Sequence, residues 1–438
     1  MLSVDEFFEL NAMKTRHGLL LLLLVSLILA SSGFAQEWTR FRGPNGEGIS
    51  HCKTIPTKWT DKDFRWKIEL PGKGHSSPVV WGDRVFVTSA EPVTPGGFHA
   101  LCFSAANGSK LWQRDFPLGP FKKNPLNSFA SATPAVDAER VYVSWGTTNL
   151  FMLAAFDHAG KTVWERDLGP FVSQHGPAVS PVLYDGRVIL GNEQDGASFL
   201  IAVDARTGKT LWQTPRKGGD QTTAYSVPCM FHPKNGKPVL IFNSRNHGIS
   251  GVDPATGAVV WECPVLTARS VSSPFICENA GLVFGTCGGG GVGSHVAAVR
   301  PGDPAKGEKA QEAYRIKKPV APYVPTSLVV GDVAYLWTDQ GLVSCVTAAT
   351  GEVRWQQRTK ADANVKEGFF ASPIWVGGRV YNVSRDGEVV VIEASPDHYK
   401  ELFRFPLGET AHATPAVSGG RMFLRTESHL FCLGGAKR

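Results

Sequence analysis

The chain has 438 residues, 42% hydrophobic and 19% charged, a composition that fits a folded globular protein and excludes a disordered or collagen-like one. Its 47 Gly and 29 Pro are far too many turn formers for a helical bundle and point to an all-β chain of many short strands, arranged as several domains or one large repeat. The net charge of +6 is scattered, with pairs such as Lys122-Lys123 and Lys317-Lys318 but no basic stripe, so no nucleic-acid partner is expected.

At the N-terminus, Lys14, Arg16 and His17 precede an apolar run from Leu19 to Ala30. Gly33 and Ala35 then supply the small residues that signal peptidase reads. Residues 1–35 therefore read as a signal peptide. The acidic stretch before Met13 is unlike a basic leader end, which leaves Met13 as an alternative start. The apolar run is short against the roughly 20 residues a membrane span needs, with retention as an anchor the alternative to cleavage. No second run of spanning length follows, so the expected product is an exported, soluble monomer, periplasmic or extracellular. Residues 36–62 form a leader containing Trp38-Thr39-Arg40-Phe41-Arg42-Gly43-Pro44-Asn45-Gly46-Glu47-Gly48.

From residue 63 to 438 the chain repeats itself. A Ser/Thr-Pro pair or a close variant opens each unit, with prolines at positions 78, 134, 181, 228, 274, 325, 373 and 415, a period of about 48 residues. The cleanest unit runs from Ser180-Pro181 through a tight turn at Asp185-Gly186, a strand Phe199 to Asp204, and Gly208-Lys209-Thr210-Leu211-Trp212. Gly-x-x-x-Trp recurs at Gly108/Trp112, Gly160/Trp164, Gly257/Trp261 and Gly351/Trp355. Proline donates no N–H and suits a strand start, Gly-Asp or Asp-Gly suits a two-residue hairpin, and the indole can fill the gap between outer strands of neighbouring sheets. Four short strands in such a period make a propeller blade. Eight starts predict an eight-bladed, all-β propeller of four-stranded blades. The last blade lacks its Gly-x-x-x-Trp, and Phe64 to Ile68, carrying Trp66, is expected to pair with it and close the ring. Blade five has an insertion-like Pro301 to Ala310 where its Gly-x-x-x-Trp should be, and blade seven has Phe403 for the Trp.

Of the eight cysteines, Cys102, Cys345 and Cys432 stand where a sister strand has Ala202, so they read as small buried fillers, with disulfides the alternative. No CxxC or zinc-type Cys/His spacing occurs. Gly288 to Gly293 matches G-x-G-x-x-G but lies between strands of blade five with no helix after it, so it reads as a hairpin rather than a dinucleotide site.

The segment Ala202-Val203-Asp204-Ala205-Arg206-Thr207-Gly208-Lys209-Thr210-Leu211-Trp212 resembles the tryptophan-docking repeat of the pyrroloquinoline quinone (PQQ) propeller family, and Gly251 to Gly257 repeats it. The Trp38 to Gly48 leader is similar to the start of exported members common in planctomycetes. The resemblance spans about residues 63 to 433 and covers both quinoprotein dehydrogenases and quinone-free scaffolds such as BamB. A dehydrogenase of this family implies PQQ with Ca²⁺ held by a Glu and an Asn, an Asp base, and typically a disulfide between adjacent cysteines. This chain has no Cys-Cys pair, and its connector carboxylates Asp220, Glu367 and Glu409 lie some way from the Ser/Thr-Pro starts, so no quinone or calcium ligand is assigned.

The connectors from each Trp strand to the next Ser/Thr-Pro strand are the natural lining of a central site. They contribute Lys73, His75, Asn127, Gln174, His175, Tyr225, Arg269, Tyr323, Phe370 and His412. Arg269 and Lys73 would supply charge and the aromatic residues stacking, for a protein partner or a small anionic or aromatic ligand; connectors that merely satisfy one another around a water-filled channel are the alternative. Trp66, Trp112, Trp164, Trp212, Trp261 and Trp355 are assigned to docking between blades. No catalytic or metal-binding residue is assigned. The expected role is a non-catalytic binding or scaffold module, with a divergent PQQ- and calcium-dependent dehydrogenase, or a hydrolase or lyase using His75, His175, His412 and the funnel tyrosines, as alternatives.

Overall fold

The computed structural model describes residues 37–434 except 92–95, 120–122, 148, 290–291, 304–305 and 360–367; the proposed signal segment and Glu367 lie outside the described residues. Eight sheets follow one another in the chain, each a four-stranded antiparallel meander running from the axis outward. Blade 1 spans Val79–Trp81 to Lys110–Leu118, and blade 3 spans Val182–Tyr184 to Thr210–Arg216. The helical elements described in full are two short 3₁₀ turns, Pro44–Gly46 and Asp61–Asp63.

The ring closes as expected. Phe64–Glu69 pairs antiparallel with His429–Gly434, placing Trp66 opposite Cys432 as the outer strand of blade 8. All eight cysteines are free thiols, seven of them buried.

Trp66, Trp112, Trp164 and Trp212 each sit against the turn glycine of the following blade. A Cβ on Gly160 would fall 2.7 Å from the Trp112 ring, one on Gly208 2.7 Å from Trp164, and one on Gly257 2.5 Å from Trp212. Each of these glycines has positive φ, so the position needs both left-handed backbone and a missing side chain. The indole N–H then donates to a carbonyl of that same turn, as Trp112 does to His158 at 3.1 Å and Trp212 to Pro254 at 3.0 Å. In blade 5 the docking ring is Tyr314, which packs on Gly351 and donates its hydroxyl to the Ala348 carbonyl. In blade 7, Trp59 of the leader packs edge-on against Phe403 at 4.7 Å.

The residue before each strand-opening proline links neighbouring blades, except in blade 6, where Thr326, which follows Pro325, takes that place. The Ser77 N–H donates to Thr133 Oγ1 at 3.0 Å, Thr133 N–H to Ser180 Oγ at 2.9 Å, and Val227 N–H to Ser273 Oγ at 3.1 Å. Ser273, Thr326 and Ser372 continue the chain at 2.9 Å each to Thr326, Ser372 and Thr414, and Thr414 N–H returns to Ser77 Oγ at 3.0 Å. The result is a belt of hydroxyls around the axis. It is interrupted only at Val227, which offers Ser180 no oxygen.

The leader crosses the face that carries the first hairpin of each blade. Trp38 bridges Val80 of blade 1, the Thr39 carbonyl accepts from Val136 of blade 2, and Arg40 donates to the Pro228 carbonyl before blade 4. Arg42 reaches the Pro373 carbonyl at 3.2 Å, and Ile49–Ser50 adds a parallel fifth strand inside blade 7.

Candidate functional site

On the opposite face the connectors converge around an axial cavity of about 300 Å³. Its floor is Phe41, held at the axis because the buried arginines on either side of it anchor the leader to blades 4 and 7. Its lower wall is the hydroxyl belt, and its mouth is formed by His75, Asn124, Asn127, His175, Tyr225, Tyr323, Phe370 and His412. Among the described residues no Asp, Glu, Lys or Arg lines it.

Of the ten sequence-derived site residues, seven therefore line the cavity. Lys73 does not: its side chain is 61% exposed and its ammonium pairs with Glu427 at 2.9 Å, so the charge expected from it in the funnel is already neutralised at the rim. Gln174 and Arg269 also lie outside the wall, where Arg269 joins connectors across the mouth. Its Nη1 donates to His175 Nε2 at 2.6 Å, and a second nitrogen approaches Gln174 Oε1 at 3.4 Å. A guanidinium only donates, so His175 accepts through Nε2 and is neutral. Burial and the Arg269 charge both hold its pKa below the usual histidine value. The Asn127 side-chain amide donates to the His175 carbonyl at 2.7 Å, and Tyr225 shares a 2.6 Å hydrogen bond with Ser173.

Across the mouth, His412 and His75 meet Nδ1 to Nδ1 at 3.2 Å, and His75 Nε2 faces the Glu427 carboxylate at 3.5 Å. The carboxylate can only accept, which makes His75 donate through Nε2 and accept through Nδ1, with His412 Nδ1–H as donor. Burial pushes His412 down to about 3, with the neighbouring His75 and Arg385 adding to the effect, and burial also lowers His75. Hydrogen bonding from His75, with Lys73 beside it, holds Glu427 down at about 2. Phe370 stands edge-on to His412 at 5.0 Å and carries the Arg385 guanidinium 4.9 Å above its ring. The pairing of His75 with His412 follows from blades 1 and 8 being neighbours in a closed ring. His175 stands apart from both, so the three histidines do not converge on one metal position.

The sequence did not point to Glu427 or Phe41. Glu427 lies in a hairpin of blade 8 rather than in a connector, and Phe41 belongs to a leader that looks separate from the ring until the ring is closed. The Ser/Thr of each Ser/Thr-Pro pair was visible in the sequence as a marker, and its hydroxyl was the missed signal.

A calcium-bound quinone does not fit these residues. Ca²⁺ takes six to eight oxygens, anchored by carboxylates. Among the described residues the cavity wall has none, and the described carboxylates near it are already engaged. Glu427 is held by Lys73 and His75, Asp339 accepts the Tyr323 and Val324 amides at 2.7 and 3.0 Å, and Glu409 is bound by Thr426 and Ser428. Asp220 is exposed. No group of three or more metal-ligating side chains occurs among the described residues.

The family model described as "Outer membrane protein assembly factor BamB" matches residues 96–286, 293–396 and 339–433. Quinohemoprotein alcohol dehydrogenase ADH IIB of Pseudomonas putida is 26% identical over 200 residues, 42% of this chain and 28% of that protein. BamB of Burkholderia pseudomallei is 28% identical over 196 residues, covering 44% of this chain and 47% of its own. The matches thus span between about a quarter and a half of these curated relatives. Among solved structures, BamB from Moraxella catarrhalis superposes with a TM-score of 0.56 at 14% identity, over 85% of this chain and 97% of that one, a likeness of fold.

Proposed function

The chain belongs to the BamB-type propeller family with PQQ-like repeats, and from that premise we propose that it is an exported, non-catalytic binding or scaffold module whose working surface is the connector face around the axial funnel. The observation that carries this reading is the mouth itself. Its aromatic and amide side chains are preformed and held by one another: His175 by Arg269 and Asn127, Tyr225 by Ser173, and His75 by Glu427 and His412. Such preorganisation lowers the ordering cost of binding. Export is supported by the Lys14 to Ala35 pattern, and no described helix is long and apolar enough to cross a membrane.

The test is capture of native ligand or partner on the purified protein, identified by mass spectrometry after mild denaturation, against the double variant Tyr225→Ala/Tyr323→Ala. Aromatic anchors at the centre of an interface typically dominate its affinity, so the variant should bind at least roughly tenfold more weakly while keeping its β-sheet circular dichroism. Recovery of stoichiometric PQQ together with calcium-dependent, dye-linked alcohol oxidation would replace this reading with the dehydrogenase one.

A further inference from the structure

The belt hydroxyls have a hydrogen-bonding valence that the protein leaves open. Each of the seven accepts one backbone N–H, and each carries an O–H hydrogen for which the described residues provide no acceptor. All seven are buried, the most exposed being Ser273 at 6%, and all seven line the axial cavity. Buried hydroxyl donors are satisfied in folded proteins. Here the available acceptor is whatever occupies the axis, because no carboxylate lines the wall among the described residues.

The charge next to the belt says which acceptor fits. Arg40, Arg42 and Arg425 are buried at 7%, 1% and 1% exposure. They bond to the carbonyls of Pro228, Pro373 and Ser76, each adjacent in sequence to a residue of the ring. None forms an ion pair among the described residues; Glu47, which is exposed, is a more distant counter-charge for Arg40 and Arg42 and Glu409 for Arg425. The Nε–H of all three lacks a partner there. Burial without a paired carboxylate pulls these guanidinium groups down to about 10, 9 and 9. Water or a neutral polyol would satisfy the hydroxyls and leave this positive potential standing, whereas an anion answers both. A cavity of about 300 Å³ holds the equivalent of about ten waters, enough for a small oxyanion with part of its hydration shell.

We propose that the axial cavity binds a small oxyanion group, carboxylate, sulfate or phosphate, at the height of the Ser/Thr belt between the Phe41 floor and the aromatic mouth. The proposal rests on the funnel being a ligand site and narrows it, since a larger ligand would enter with its anionic end toward the belt.

The test is calorimetric titration of the purified protein with sulfate, phosphate and acetate at ionic strength held constant with chloride, together with a crystal grown in selenate. The expected result is saturable binding, with a selenium anomalous peak on the axis within hydrogen-bond distance of belt hydroxyls. The ranking of acetate against the tetrahedral anions tells which group the belt prefers. Thr326→Val/Thr414→Val should weaken binding roughly tenfold. If that variant does not fold, the selenate peak in the unaltered protein decides. Heats indistinguishable from chloride, or no axial peak at saturating selenate, overturn the proposal. The two readings fail separately: oxyanion binding is indifferent to Tyr225→Ala/Tyr323→Ala, and a ligand lost in that variant while selenate never binds leaves the funnel reading standing without this one.

Discussion

The His75, His412 and Glu427 relay makes the mouth acid-sensitive. His412 is held near 3 against an ordinary value of 6.5, so between those values the unfolded chain binds more protons than the folded one, and stability falls as pH drops from about 6.5. Glu427, held near 2, adds to the loss below about 4.5, so both contributions have the same sign, and the lowered His75 adds to it. A His412→Gln variant keeps a neutral polar partner for His75 and removes the titration. Thermal unfolding followed from pH 7 to 4 should therefore drop less steeply in the variant, the two curves differing by an amount on the order of 2 kcal/mol at pH 4.5. Parallel curves would mean that the pair is solvated rather than buried. At this scale the sequence disclosed the connector residues because one period placed them all. It did not disclose Glu427, since nothing local marks a hairpin glutamate as facing a histidine in the next blade.

Between blades, the interlock of tryptophan and glycine turns a sequence marker into a mechanical fit. Gly257 has φ of 74° and leaves no room for a Cβ beside the Trp212 indole. Gly257→Ala combines left-handed strain with displacement of a buried ring, and should cost about 2 to 4 kcal/mol in denaturant unfolding. Blade 5 provides the control. Ala310 stands four residues before Tyr314, as each turn glycine stands four before its tryptophan, and it packs against the buried cluster that contains Trp261, without a positive φ. Ala310→Gly should therefore change stability by less than about 1 kcal/mol. Equal effects in the two variants would show that general turn flexibility, rather than the fit to the indole, sets the requirement. The repeat made the eight blades legible, including the irregular fifth and seventh. Phe403 of blade 7 stands where the repeat puts it, opposite Val391 as Trp355 stands opposite Cys345; Tyr314 of blade 5 was harder to read because it follows an insertion, and Trp59 because it reaches Phe403 from more than three hundred positions away in the chain.

The molecule as a whole is closed three times over, by the Phe64–Glu69 strand, by the hydroxyl belt and by the leader across the floor. The closing strand was readable in advance because a blade lacking its outer strand and a Trp-bearing strand ahead of the first repeat need each other. The leader's course was not, since its contacts with blades 1, 2, 4 and 7 exist only once the ring has formed. These closures have different consequences when removed. A chain beginning at residue 63 keeps the outer strand of blade 8 but loses buried Trp38, Ile55 and Trp59, together with the Phe41 floor. It should still fold cooperatively and elute without aggregate, with a melting point lowered by several degrees, because the ladder of every blade survives. A chain beginning at residue 71 also loses the strand paired with His429–Gly434, baring the polar edge of that strand and the Phe431 and Phe423 rings beside it. An unpaired hydrophobic edge recruits other chains, so this shorter form should elute as aggregate in size-exclusion chromatography. If both truncations melt alike and elute without aggregate, the ring is held by the belt and the interlocked tryptophans alone, and the closing strand is an ornament on a structure already complete.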